Sequence, residues 1–143
     1  MATLLVIMVL ALVSVGIGSF QRDRAAERAA GQERAFMAGD AVVQLEIRNG
    51  SGIPGLAADL SLILGRAGAT AALLANADHD RYQHSLLVNR RLDDASAHAL
   101  AARLGGLPVL MEFDPAAAAD AVLILGNDHD RIRTALLTAE SVH

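Results

Sequence analysis

The hydrophobic pattern changes twice along the chain. Met1 to Phe20 carries no charged residue and is almost continuously apolar, with Leu4, Leu5, Val6, Ile7, Met8, Val9 and Leu10 as its densest run. About 20 such residues span the hydrocarbon core of a bilayer as one helix. Gln21 to Ala38 is rich in Ala, Arg, Glu and Gln, which favour helix, but it has no apolar stripe. It predicts a solvated helical stalk that stops near Gly39–Asp40. From Val42 the period becomes two: Val43, Leu45 and Ile47 alternate with Gln44, Glu46 and Arg48, the pattern of a half-buried strand.

The remaining elements follow from the same periodicities. After the turn Asn49–Gly55, Leu56, Leu60, Ile63 and Leu64 share one side of a helix that ends near Gly65–Gly68, with Pro54 in its first turn. Thr70 to Ala75 and Ser85 to Asn89 predict strands, separated by a polar connection. Asp93 or Asp94 starts a second helix with Ala97, Leu100, Ala101 and Leu104 inward, closed by Gly105 and Gly106. Leu107 to Phe113 and Ala121 to Leu125 predict two more strands, and Asp128 to Thr138 a last helix. The order implies an α/β fold of the α+β two-layer kind, with one mixed sheet and helices packed on one face. The expected organisation is a transmembrane anchor at 1–20, a charged helical stalk at 21–40 and one domain at 41–143.

Composition narrows the chemistry. With 143 residues and no Cys, there is no disulfide framework, thiolate metal site or cysteine nucleophile. The net charge of −4 lies in residues 41–143, since four Arg and four acids cancel in 21–40, and nothing suggests nucleic acid as a partner. Aromatic residues make up only 3%, too few for an aromatic sugar-binding platform or a base-stacking surface.

The first segment has a competing reading as a cleaved signal peptide, because Gly16 and Gly18 form a small-x-small pattern. It is long for that role and no basic residue precedes it. Arg22, Arg24, Arg28 and Arg34 all follow it, and the positive-inside rule taken alone puts the domain in the cytoplasm, as a membrane-tethered adaptor.

Gly50-Ser51-Gly52-Ile53-Pro54-Gly55 matches G-x-G-x-x-G between a strand and a helix, which is the context of a dinucleotide fingerprint. Against nucleotide binding, the strand before it alternates in polarity, and the second strand ends in Leu74-Ala75-Asn76 rather than an acid. The turn reads first as a geometric necessity and second as a binding surface made of Asn49, Gly50, Ser51, Gly52 and Gly55. At least one glycine is expected at positive φ or against another backbone. Ser51 is expected to make no obligatory bond, so that Ser51→Ala is neutral for folding.

Two near-repeats, Asn76-Ala77-Asp78-His79-Asp80-Arg81 and Asn127-Asp128-His129-Asp130-Arg131, hold Asp-His-Asp triplets suited to a divalent metal. Asp and Asn at such strand ends are more often caps and turn formers, so no metal or cofactor is expected. Glu112 and Asp114 fall on one strand face, and no serine has the spacing of a nucleophile.

Several of these stretches together resemble the LytR C-terminal domain of bacterial envelope proteins. They are Val43 to Gly52 continuing through Ile53-Pro54-Gly55-Leu56-Ala57, then Asn76-Ala77-Asp78 with Tyr82 and Ser85, Ala99-Leu100-Ala101 with Leu104-Gly105, and Ala119 to Asp128. The resemblance covers about residues 42–130. It implies an extracytoplasmic α/β module that often follows a LytR-CpsA-Psr phosphotransferase domain, whose catalysis has no counterpart here. The expected protein is therefore a non-enzymatic, single-pass membrane protein with its domain outside, acting as scaffold or binding module for a wall polymer or wall-assembly enzyme. The enzyme alternative is a nucleotide- or metal-dependent activity at the Gly-rich loop or an Asp-His-Asp cluster.

Overall fold

The computed structural model describes residues 42–139; the expected anchor and stalk lie outside the described residues. Strand β1 (Val43–Asn49) leads through helix α1 (Leu56–Ser61) and a 3-10 turn (Leu64–Ala67) to β2 (Ala69–Asn76). Next come β3 (Leu86–Asn89), α2 (Asp94–Arg103), β4 (Val109–Met111), β5 (Ala121–Leu125) and α3 (Asp130–Thr138). Among the described residues, no helix is long and apolar enough to cross a membrane.

The five strands form one mixed sheet in the order β2-β1-β5-β3-β4. β1 runs parallel to both β2 and β5, β3 is antiparallel to β5, and β4 is parallel to β3. The last strand therefore enters the middle of the sheet. That position explains its uninterrupted apolar sequence: Ala121, Leu123 and Leu125 face the helices, while Val122 is buried on the other face. β1 keeps the alternation its sequence shows, with Val43, Leu45 and Ile47 buried and Gln44, Glu46 and Arg48 half-buried.

All three helices join one core with the inward face of the sheet. Leu56 and Leu60 of α1, Leu100 and Ala101 of α2, and Ile132 and Leu136 of α3 pack with Leu45, Ile47, Leu87 and Leu123. Each large aliphatic side chain so buried contributes about 1.5–3 kcal/mol. Part of the opposite face is covered by the segment before β5. Asp120 clamps it to β1, donating its backbone N–H to the Gln44 carbonyl at 2.8 Å and accepting from the Gln44 N–H through Oδ2 at 2.9 Å. Asp93 caps α2 by accepting the Ser96 N–H at 2.9 Å.

Three local expectations change. The helix after Pro54 breaks after Ser61 and resumes as the 3-10 turn, ended by Gly68 at φ 75°; Gly65 within that turn weakens continuous α-helix. Pro54 lies outside the helix, ahead of the Gly55 cap. The strand expected over Leu107–Phe113 shrinks to Val109–Met111, because the Leu107 N–H closes α2 on the Ala101 carbonyl and Pro108 has no N–H to give. Glu112 and Asp114 consequently sit in a loop. Glu112 lies 3.4 Å from Arg90, and Asp114 accepts from the Ala116 N–H at 3.0 Å.

Candidate functional site

Three parallel strands end together at one edge of the sheet, and each is followed by a loop that the sequence marks out. Asn49–Gly55 follows β1, Asn76–Tyr82 follows β2, and Gly126–His129 follows β5. Backbone bonds lace them: Ala77 N–H to Asn49 O at 2.9 Å, Gly50 N–H to Leu125 O at 2.9 Å, Tyr82 N–H to Gly50 O at 3.0 Å, and Asn127 N–H to Tyr82 O at 2.9 Å.

The first loop spends most of its polar side chains on itself. Asn49 Nδ2 donates to the Ile53 carbonyl at 2.7 Å, and Asn49 Oδ1 accepts from the Ser51 N–H at 3.1 Å and the Ser51 hydroxyl at 2.8 Å. Ser51 Oγ in turn accepts the Ile53 N–H at 3.2 Å. Ser51 thus sits in a closed ring of bonds, contrary to its expected neutrality. The glycines meet both expected conditions. Gly52 and Gly55 have φ 73° and 81°, where a Cβ is strained. A Cβ on Gly50 would lie 2.5 Å from Tyr82 Cδ2 and 2.9 Å from the Leu125 carbonyl oxygen.

Between the first two loops opens a cleft of about 540 Å³, lined by Asn49, Gly52, Pro54, Gly55, Asn76, Ala77, His79 and Asp80. A shallower trough of about 260 Å³ continues from it between α1 and β2, over Ala57, Ala58, Leu74 and Ala75. Of the five residues marked in the first loop, Asn49, Gly52 and Gly55 line the cleft, while Gly50 and Ser51 shape the turn behind it. The sequence missed that Asn76, His79 and Asp80 form the opposite wall; their near-repeat was the available signal.

The second loop is held by Asp78. Its Oδ1 accepts from the Tyr82 hydroxyl at 2.9 Å and from the His79 N–H at 3.1 Å. The Tyr82 bond holds the Asp78 carboxyl below its ordinary value and raises the Tyr82 phenol above its own. Tyr82 and His79 stack with ring centroids 4.2 Å apart. His79 Nδ1 accepts the Arg81 N–H at 3.3 Å, so Nε2 is the nitrogen that carries a proton in the neutral ring.

The third loop is bound inward. Asp128 Oδ1 accepts from the Ser85 N–H at 2.6 Å and its hydroxyl at 2.7 Å, and Ser85 Oγ accepts the Gly126 N–H at 2.9 Å. Burial pushes the Asp128 carboxyl up, but the bonds from Ser85 and the nearby His84 outweigh it and leave it below its ordinary value. Ser85, Asp128 and His84 meet here, yet the serine is fully buried and its hydroxyl donates to the carboxylate, so no imidazole activates it.

The Asp-His-Asp triplets do not converge. β2 ends at Asn76, before the extended geometry that would align Asp78 with Asp80. Among the described residues, no three His, Asp or Glu side chains gather around one point. The cleft also fits a dinucleotide poorly. No Arg or Lys lines it, Asp80 stands in its wall, and α1 has only six residues.

Fold and site together define a small mixed α/β domain whose distinctive surface is the loop edge of its parallel strands. The chain belongs to the LytR C-terminal domain family: the family model described as "LytR cell envelope-related transcriptional attenuator" matches residues 42–129. This is a cell-envelope-related, non-catalytic C-terminal domain family. No curated protein matches the chain, and no solved structure does.

Proposed function

We propose that the protein is a non-enzymatic accessory component of the bacterial envelope. Residues 1–20 anchor it in the membrane, residues 21–40 form a stalk, and the domain lies outside the cytoplasm. There it serves as scaffold or binding module for a wall polymer or a wall-assembly enzyme, through the loop edge around Asn49–Gly55. The observation that carries this reading is the family match over residues 42–129, whose description names the cell envelope. The cleft beside Gly52 and Asp80 supplies a surface for recognition.

Photo-crosslinking in intact cells, with the crosslinker placed at Ile53 on the rim of the loop edge, tests it. Capture of wall polymer or a wall-assembly enzyme is expected; capture of cytoplasmic proteins alone refutes it. Protease added to wall-stripped cells should digest the domain. The second reading, a cytoplasmic membrane-tethered adaptor, is favoured by Arg22, Arg24, Arg28 and Arg34 following the apolar segment. It predicts digestion only after the membrane is permeabilised.

A further inference from the structure

We propose that the cleft between the Asn49–Gly55 and Asn76–Tyr82 loops binds a neutral, hydroxyl-rich sugar segment, an assignment that rests on the envelope reading above. The cleft volume of about 540 Å³ lies within the usual range for small-ligand sites. Its wall carries three groups with free hydrogen-bonding capacity. The Asn76 amide and the Asp80 carboxylate make no side-chain hydrogen bond among the described residues, and His79 presents Nε2 once Nδ1 is taken by Arg81. An amide, a carboxylate and an imidazole N–H together supply donors and acceptors at one place. Vicinal hydroxyls match that set, since each donates one bond and accepts others.

Charge decides against the anionic alternative. No Arg or Lys lines the cleft, and Asp80 puts a carboxylate in its wall. A phosphate or uronate there would meet the Asp80 charge with no cation in the lining to offset it. The apolar features complete the match. Pro54 and Ala77 line the cleft beside its polar groups, and the adjoining trough is floored by Ala57, Ala58, Leu74 and Ala75. A sugar chain presents hydroxyl edges and C–H faces in turn, and so suits a groove that changes from polar to methyl-lined along its length. An extended peptide, with one N–H and one C=O per residue, serves as the competing occupant in the test.

The protein carries its own reporter. Tyr82 is the one tyrosine in a chain without tryptophan, and it stacks on His79 in the cleft wall. Full-length protein in detergent micelles is titrated with maltotetraose and with chitotetraose, which distinguish plain from N-acetylated sugars. A neutral Ala-Gly peptide and poly(glycerol phosphate) are the controls, and Tyr82 emission is read throughout. A saturable change with a neutral oligosaccharide is expected, with Kd near 1 mM or tighter. Asn76→Ala and Asp80→Ala should each weaken it at least ~10-fold, or about 1.4 kcal/mol, with the melting midpoint unchanged. A response to the peptide or to the polyanion but to no sugar overturns the proposal. So does silence to all four probes, or binding that survives both substitutions. Crosslinking in cells that still captures wall components would then leave the broader envelope role standing while this assignment falls.

Discussion

Replacing Gly126 by Ala should be among the most damaging one-carbon changes in the domain. Gly126 follows β5, where the chain passes against the start of β3. A Cβ there would stand 2.5 Å from the His84 carbonyl carbon, 2.8 Å from its oxygen and 2.8 Å from the Ser85 nitrogen. All three are backbone atoms, and ordinary contacts lie at about 3.5–4.0 Å, so the two segments must separate by roughly 1 Å. Overpacking of this kind costs about 1–3 kcal/mol. The separation also pulls the buried Gly126 N–H from Ser85 Oγ, now 2.9 Å away, and a donor left unpaired costs about another 1–3 kcal/mol. The combined loss, about 2–6 kcal/mol, compares with a total stability of about 5–15 kcal/mol. At ~4–8 °C per kcal/mol, the melting midpoint should fall by at least ~8 °C. Gly65→Ala is the matched control: its Cβ meets nothing within 4 Å, and it should be neutral or stabilising by up to ~1 kcal/mol. Circular dichroism melts of the two variants provide the comparison. A Gly126→Ala midpoint within ~2 °C of the parent, against the ~8 °C or more expected from the same relation, would refute the close crossing and with it the seating of Ser85 against β5.

The other predictions concern charge and the turn. Asp128 titrates below its ordinary value in the folded state, so its contribution is present above the unfolded carboxyl value of about 3.9 and is lost as pH falls through the folded value. Asp128→Asn should therefore lower the melting midpoint near neutral pH, by the equivalent of about 1–3 kcal/mol, and the gap should close in strong acid; a gap independent of pH would contradict this. Asp78→Asn should let the Tyr82 phenol ionise at lower pH, visible by ultraviolet absorbance because no other tyrosine is present; an unmoved titration would show that the hydrogen bond is not formed. Ser51→Ala should cost about 1 kcal/mol in denaturant unfolding, since it opens the Asn49–Ser51–Ile53 ring. Leu123→Ala, at a fully buried position in the central strand, should cost about 2–5 kcal/mol.

The elements were legible because their periods are local. Val43, Leu45 and Ile47 announce β1, and Asp93 with the Ala97–Leu104 face announces α2. The strand order was not legible: nothing near Ala121–Leu125 states that this run pairs with Leu45–Asn49, some 76 residues earlier, rather than with its neighbour β4. Its evenly apolar composition does announce burial on both faces. The site was half legible. Glycine spacing marked Asn49–Gly55, but its partner wall depends on β2 lying beside β1, which is a tertiary fact. Ser51 was misjudged because a hydroxyl in a turn reads as solvated until the Asn49 side chain is seen to fold back over it.

The direction of β1 has a mechanical consequence. The chain enters the described domain at Val42 and the cleft lies beyond Asn49, so the two sit at opposite ends of a seven-residue strand, about 20 Å apart. Force applied between a hold at residue 42 and a ligand gripped at the cleft runs along β1. The other wall of the cleft follows β2, which pairs with β1 in parallel, so the share of the load carried by that wall acts in shear across the β1–β2 ladder rather than peeling bonds one by one. The domain is thereby braced along the line that would join an N-terminal attachment to whatever its loop edge grasps.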